Sequence, residues 1–437
     1  MSVSRLIYLD GFEDYDLSGQ GYNYYTSSSL TAYPGRGSKG AQGGASLTFE
    51  GELPTACIGF AYHLNDYIPA ISMPALCGFS NNLTNFNFNL YHYDDNAAAT
   101  AAVFSGGSSV IVTVTHGGSY YDQVPQVYLV NGQPGGSYTS IDVAVSGGQV
   151  ISILVNGASG YDAAHPPSVF IAPGGRGFRV ASSMLGTAEF GLPTANAIRP
   201  GQWNYFEFQA QATQLFDVFT GRYYAEVSYV LKVNGVTWLD SVLTTNENDL
   251  GQFDFNWATA NFNTNVVGVF DDLYITDGEF LADGLFDNGQ QGIQVKTLRP
   301  NGQGQYSDFT PSDPTKQNWE MVDDVQPDGD ETTVSSNAAL KLDGSPVQDS
   351  YTLQQLSPIY QDIRGCQTDF YVKKSNAGPC KVQGLRMSGG GAFVLGTWYP
   401  SLGNYDAFFA PMRFKVSATP WTRDDINGFE IGLRKAP

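Results

Sequence analysis

The 437-residue chain predicts an all-β protein built from several stacked sheets. Three observations carry that prediction. Tyr and Phe number 26 and 27, and Gly reaches 50. Aromatic side chains suit a pleated, half-buried surface, and Gly suits the tight turns between strands. Apolar and polar residues alternate with period two over short segments bounded by Gly, Pro, Asn and Asp, whereas no long stretch keeps the 3.6-residue period of an amphipathic helix.

The elements follow in chain order. The opening Leu6-Ile-Tyr-Leu-Asp10 reads as a strand and not as a signal peptide, because its apolar run is short and Asp10 ends it. No stretch approaches the roughly 20 apolar residues of a membrane span. Alternation resumes over Trp203 to Ala210 and over Tyr224 to Val233. The latter leads into Asn234-Gly235, a strong hairpin turn, and then into Val236 to Leu239. Val266 to Ile275 reads as the closing strand. Residues 1–103 and 173–282 are therefore expected to be two halves of one sandwich. Between them lies a repeat. Ser105-Gly-Gly107, Val110-Ile111, Gly117, Tyr121-Asp122, Pro125 and Val127 recur as Ser146-Gly-Gly148, Val150-Ile151, Gly157, Tyr161-Asp162, Pro167 and Val169. Such repetition marks a duplicated supersecondary unit. Each copy is too small to bury a core alone, so the two are expected to pack as a β module inserted at 104–172. After a segment rich in Gly, Asn and Gln, strands resume around Thr352–Leu356, Thr368–Val372, Cys380–Met387, Phe414–Val416 and Phe429–Leu433. A second β-sandwich domain is expected at 283–437.

Charge narrows the partners. The formal net charge is -20, from 22 basic and 42 acidic residues. Nucleic-acid backbones need clustered Lys and Arg, so no nucleic acid is expected as a partner. Insertion into a membrane and docking on an anionic bilayer are disfavoured as well. The four cysteines are Cys57, Cys77, Cys366 and Cys380. Without an export signal they are expected to be reduced thiols, although Cys57/Cys77 and Cys366/Cys380 are each near enough in sequence to pair. No Cys-x-x-Cys or His/Cys cluster suggests zinc.

Candidate chemistry begins with carboxylates. Glycoside hydrolysis needs two facing acids, which on one strand would stand at i and i+2. The nearest strand carries only Glu207, and Glu226 stands alone on the next, so each reads as a solvated residue. Asp271-Asp272 lies in the closing strand, where alternation points one carboxylate inward and one outward. The inward one either caps turn amides or ligates Ca²⁺. The run Val322-Asp-Asp-Val-Gln-Pro-Asp-Gly-Asp-Glu331 is either a solvated turn or a Ca²⁺ loop. The candidate metal ligands are thus Asp271, Asp272, Asp328 and Asp330, and no other cofactor is expected. The four histidines, His63, His92, His116 and His165, fit no catalytic spacing. Ser388-Gly-Gly-Gly391 reads as a hairpin turn rather than a phosphate loop. Tyr22, Tyr24, Tyr25, Tyr91 and Tyr93 alternate in Asn-rich surroundings, and serve either a subunit interface, the core, or stacking on glycan rings.

The order of features resembles a group of tailed-bacteriophage virion proteins. Leu6-Ile-Tyr-Leu-Asp-Gly-Phe-Glu-Asp-Tyr15 is similar to their opening, and Phe270-Asp-Asp-Leu-Tyr-Ile-Thr-Asp-Gly278 to the last strand of their N-terminal sandwich. Leu298-Arg-Pro-Asn-Gly-Gln-Gly304, Ser307-Asp-Phe-Thr-Pro311, Asn318-Trp319, Pro327-Asp-Gly-Asp330, Ile363-Arg-Gly365, Trp421 and Ile426-Asn-Gly428 resemble their C-terminal domain. The resemblance implies a concanavalin A-like (laminin-G-like) jelly-roll sandwich in a virion structural protein, made in the bacterial host cytoplasm. It further implies a role in tail, fibre, neck or head through contacts with other virion proteins and with itself, and a homo-oligomer, a trimer, is expected. It does not imply an enzyme. The alternatives are a receptor-binding adhesin for host surface glycan and a polysaccharide depolymerase. The lack of a paired-acid strand counts against the latter.

Overall fold

A computed structural model describes residues 5–436 except 11, 13–26, 29–30, 35–38, 43, 65–74, 82–85, 94–96, 105–108, 119–120, 122–123, 131–135, 165, 172–176, 183–185, 191–202, 245–255, 264–267, 284, 286–291, 325–331, 361, 389–390, 404 and 413–418. Among these residues the chain is nearly all β. The short helix Arg423–Asn427 is a rare exception, its start held by a capping box between Thr422 and Asp425. No helix of the described residues is long and apolar enough to cross a membrane.

Two large antiparallel sheets form the first body. One runs Val236–Thr244, Arg222–Val233, Trp203–Asp217, Thr55–Leu64, Gly268–Thr276, Lys39–Gln42 and Thr31–Pro34, with Leu6–Asp10 also on Gly268–Thr276. The other runs Gly186–Phe190, Gly177–Ser182, Phe86–Tyr93, Ala75–Asn81, Trp257–Asn263, Gly44–Leu53 and Ser27–Ser28. Alternation turns one aromatic row of each sheet inward, and the rows meet. Phe208 stacks on Phe79 at 6.0 Å and on Phe88 at 5.9 Å, and Phe262 meets Phe270 edge-on at 5.3 Å. Trp257 is fully buried and its indole N–H donates to the Ala210 carbonyl at 2.9 Å, so the one polar atom of this large ring is satisfied. The opening and closing strands, 260-odd residues apart, are hydrogen-bonded neighbours, with Leu9 opposite Tyr274.

The repeat forms its own small body. Its four-stranded sheet runs Ser140–Ser146, Gln149–Asn156, Val110–His116 and Ala98–Val103, and a two-stranded sheet pairs Val127–Val130 with Ser168–Ile171. That order is symmetric about the central pair, in which Ile111 faces Leu154. The two copies exchange their cores. Tyr121 of the first shares a cluster with Val150 of the second, and Tyr161 of the second shares one with Val110 of the first. Neither copy therefore has an interior without the other. The sheet also takes in strand 98–103, which lies before the 104–172 bounds expected from sequence. The Ser-Gly-Gly motif does not begin a copy. In the second copy it turns between two strands, with Gly147 and Gly148 at φ of 64° and 71°.

The remaining strands build a five-stranded sheet, Pro300–Ser307, Gln348–Leu353, Glu430–Ala436, Lys381–Ser388 and Gly391–Trp398, and two two-stranded ones, Cys366–Val372 with Asp406–Met412 and Thr310–Pro311 with Val334–Ser335. Ser388 faces Gly391, as a hairpin at the Gly run requires. The strand expected at Phe414–Val416 lies outside the described residues.

The insert sits between adjacent strands, since Tyr93 of one faces Gly177 of the next. Replacing residues 97–171 by a short Gly-Ser linker is expected to leave the sandwich folded, with a melting midpoint within a few degrees of the whole chain's. Insolubility or non-cooperative melting of that variant would contradict an independent insert.

Candidate functional site

The acid that sequence places on a solvated face is buried. Glu207 is 1% exposed. It stands in a row across three strands of the first sheet, opposite Gly59, which is itself opposite Tyr274. Because Gly59 has no side chain, the Tyr274 ring lies flat across the middle strand, and a Cβ at that position would collide with the ring. The Tyr274 hydroxyl thereby reaches Glu207 and donates to its Oε1. Small neighbours Cys57 and Ala61 continue this outer face. The segment after the closing strand then folds back over it. Leu281 N–H donates to the Tyr274 hydroxyl and Ala282 N–H to Glu207 Oε1, both at 2.9 Å. Leu281, Leu285 and Ile293 bury themselves on the row.

Tyr205 completes the layer. It stacks on Tyr274 at 6.4 Å and donates its hydroxyl to the Asp272 carbonyl at 3.1 Å. Gly292, at φ +83°, is pressed against the Tyr205 ring where no Cβ fits. The Asn234-Gly235 turn adopts φ of 50° and 78°, as a type I′ hairpin demands, and Asn234 Oδ1 accepts from Tyr205 N–H at 2.8 Å.

Burial raises the Glu207 carboxyl above the usual carboxylate range, against the lowering effect of its Tyr274 and Ala282 hydrogen bonds. Glu207 Oε2 has no hydrogen-bond partner. A neutral acid with its proton on Oε2 leaves one O–H unpaired, at a cost of roughly 1–3 kcal/mol. An ionised carboxylate there would cost more, which is the direction in which burial moves the group. Burial likewise pushes the Tyr274 and Cys57 groups well up. At the edge of the layer Lys232 pairs with Asp283 at 2.6 Å and lies 4.0 Å from the Phe280 ring centroid. This constellation holds a cover segment in place, and its acid is sealed from solvent.

Asp271 and Asp272 are also both buried, rather than one inward and one outward. A bulge between Asp271 and Tyr274, with Asp272 at φ +52°, breaks the alternation. Their carboxylates accept backbone amides, Asp271 from Asp272 N–H at 2.8 Å and Asp272 from Val295 N–H at 2.7 Å. Among the described residues no three His, Cys, Asp or Glu side chains gather as a metal site requires. Asp328, Asp330, Tyr22, Tyr24 and Tyr25 lie outside the described residues. Tyr91 and Tyr93 stand on strand 86–93 opposite Arg179 and Gly177. All four cysteines are free thiols. Cys57 belongs to the outer layer and Cys77 to the sandwich core, on opposite sides of the first sheet.

Two polar residues without any motif signal organise the second half. Gln367 grips the backbone of Leu9, accepting its N–H at 3.0 Å and donating to its C=O at 2.9 Å. Arg386, 6% exposed, lies 4.9 to 5.1 Å from the rings of Phe393, Trp421 and Phe429, so π faces take the place of a carboxylate partner. The only available signal was local: Arg386 stands between Leu385 and Met387 at the apolar end of strand 381–388.

The pH dependence follows from Glu207. Its folded value is raised, so the folded chain keeps a proton that the unfolded chain releases above about pH 4.3. Its contribution is then lost progressively as pH rises. Glu207→Gln, which keeps an acceptor at Oε1, is expected to match the wild type in stability near pH 4 and to gain on it as pH rises from there. Denaturant titrations from pH 4 upward check it, and a gap between the two proteins that is the same at every pH would contradict a raised Glu207. In comparisons with known proteins, no family model, no curated protein and no solved structure matches this chain.

Proposed function

We propose that the chain is a structural component of a tailed-phage virion, acting through protein–protein assembly, with a concanavalin A-like jelly roll as its N-terminal sandwich. The observation that carries this reading is how the chain's polar groups are spent. Glu207, Asp271 and Asp272, the acids best placed on the sandwich strands for chemistry, accept backbone and tyrosine hydrogen bonds inside a sealed layer. The joint between the sandwich and the C-terminal sheets supports the same reading. It is made of β-strand backbone, Gln367 and the Tyr8–Phe409 ring pair at 5.3 Å, which suits a rigid building block more than an enzyme that opens and closes. The opening and closing segments that resemble phage virion proteins meet in space at strand 6–10, consistent with one closed sandwich.

Mass photometry of the purified chain is expected to show an assembly of three 47.2 kDa chains, and proteomics of purified particles to contain it. A single-chain mass at every concentration, together with absence from particles, would sink this reading.

A further inference from the structure

Three reactive side chains converge at the edge of the covered layer. Glu207 and Lys232 stand directly opposite each other on the antiparallel strands 203–217 and 222–233, so they share one face of the sheet. Asp283 follows the closing strand, and its Oδ1 lies 2.6 Å from Lys232 Nζ. The backbone on both sides of that aspartate side chain is fastened. Ala282 N–H donates to Glu207 Oε1 at 2.9 Å, and Arg364 donates to the Asp283 carbonyl at 3.2 Å. The carboxylate is thus brought to the amine by bonds other than their own. Lys232 is held as well. Its side chain is 15% exposed, and its Nζ lies 4.0 Å from the Phe280 ring centroid. Glu207 is near enough that the charges of both Asp283 and Lys232 act on it.

An exposed ion pair is two mobile side chains in water, and it stays an ion pair. This one differs in three respects. Packing against a ring and a covered layer costs the charged forms solvation, which narrows the gap to the neutral amine and acid. An amine fixed against a carboxyl oxygen, one bond from the carboxyl carbon, acts with the effective concentration of an intramolecular reactant, on the order of 10⁵ M or more. A third group stands beside the pair to carry protons. Glu207 is 1% exposed, burial raises its carboxyl toward the protonated form, and its Oε2 has no hydrogen-bond partner. A buried polar atom left without a partner in a native fold calls for an explanation, and proton transfer supplies one.

We propose that Lys232 Nζ and Asp283 Cγ join in an intramolecular amide bond, with Glu207 carrying the proton that leaves with water. The ammonium first passes a proton to the carboxylate it touches, giving an amine and an acid. The amine lone pair attacks Cγ and the C–N bond forms. Glu207 gives its proton to the departing hydroxyl and takes one from the nitrogen, so it ends as it began. The C–OH bond breaks with its electron pair on oxygen, and water leaves. One amine and one carboxylic acid become one amide and one water, with no oxidant or reductant. The Asp283 side chain is 53% exposed, which gives the water a way out. The bond forms once per chain and fastens strand 222–233 to the cover segment. This inference stands apart from the assembly reading.

Intact-mass spectrometry of the denatured full-length chain tests it. The wild type is expected to weigh one water less than its sequence, and its tryptic digest to contain a branched peptide uncleaved after Lys232. Lys232→Arg keeps the ion pair and loses the nucleophile, and is expected to show the full sequence mass. Glu207→Gln is expected to fold, as circular dichroism checks, and to contain at least about tenfold less of the linked form. The stability comparison of Glu207→Gln across pH is made in the Lys232→Arg background, where neither chain is linked. A wild type at full sequence mass, a water loss that persists in Lys232→Arg, or a Glu207→Gln chain linked as fully as the wild type overturns the proposal. None of these outcomes bears on assembly, which the mass of the native particle decides.

Discussion

The hydrogen bond from Tyr274 to Glu207, laid across Gly59, is the contact on which the rest of the chain depends. A sheet in a sandwich ordinarily has one dry face and one wet face. Here three small residues on the middle strand, Cys57, Gly59 and Ala61, make room for two tyrosine rings on the outer face. The rings bring their hydroxyls to a carboxyl on one side and a bulged aspartate backbone on the other. The free acceptors then recruit the backbone amides of Leu281, Ala282 and Val295. The wet face becomes a second interior. Removing Glu207 would leave the Tyr274 O–H without its acceptor, and removing Tyr274 would leave Glu207 Oε1 with the Ala282 N–H alone, which is why the pair holds more than its net hydrogen-bond energy suggests.

That second interior sets where the C-terminal sheets sit. The cover segment leaves the closing strand and runs directly into strand 300–307, so its anchorage fixes the entry to the second half. Strand 6–10 provides the other fastening. One side of it pairs with strand 268–276 and the other is gripped by Gln367. Arg364 adds a bond to the Asp283 carbonyl at 3.2 Å. An amide side chain carries one acceptor and one donor, so it can stand in for a neighbouring strand at a single residue. Asn427 repeats the device on Leu356, accepting its N–H at 2.7 Å and donating to its C=O at 3.4 Å.

The all-β class was legible because alternation and turn chemistry are local. Asn234-Gly235 announced its hairpin, and Ser388 to Gly391 announced another. The repeat revealed a two-copy module, although its first strand, 98–103, escaped because Ala-Ala-Thr-Ala-Ala-Val carries little contrast between faces. The state of Glu207 was not legible. Alternation correctly put it opposite the Phe206–Phe208 face, but whether that face meets water depends on a segment about 75 residues later in the chain. The role of Gly59 exists only once Tyr274 lies beside it, which no local pattern marks. Asp271 and Asp272 misled for a different reason: a bulge resets the period, and nothing local marks it. Gln367 and Arg386 act across hundreds of residues or through a ring cluster, and neither arrangement leaves a spacing pattern to read.

Backbone hydrogen exchange tests the sealed layer most directly. The amides of Leu281, Ala282 and Val295 belong to no strand, yet each donates to a buried side-chain oxygen. They are expected to exchange as slowly as the amides of strand 55–64 beneath them. Exchange at the rate of an exposed loop at these three positions would contradict the account.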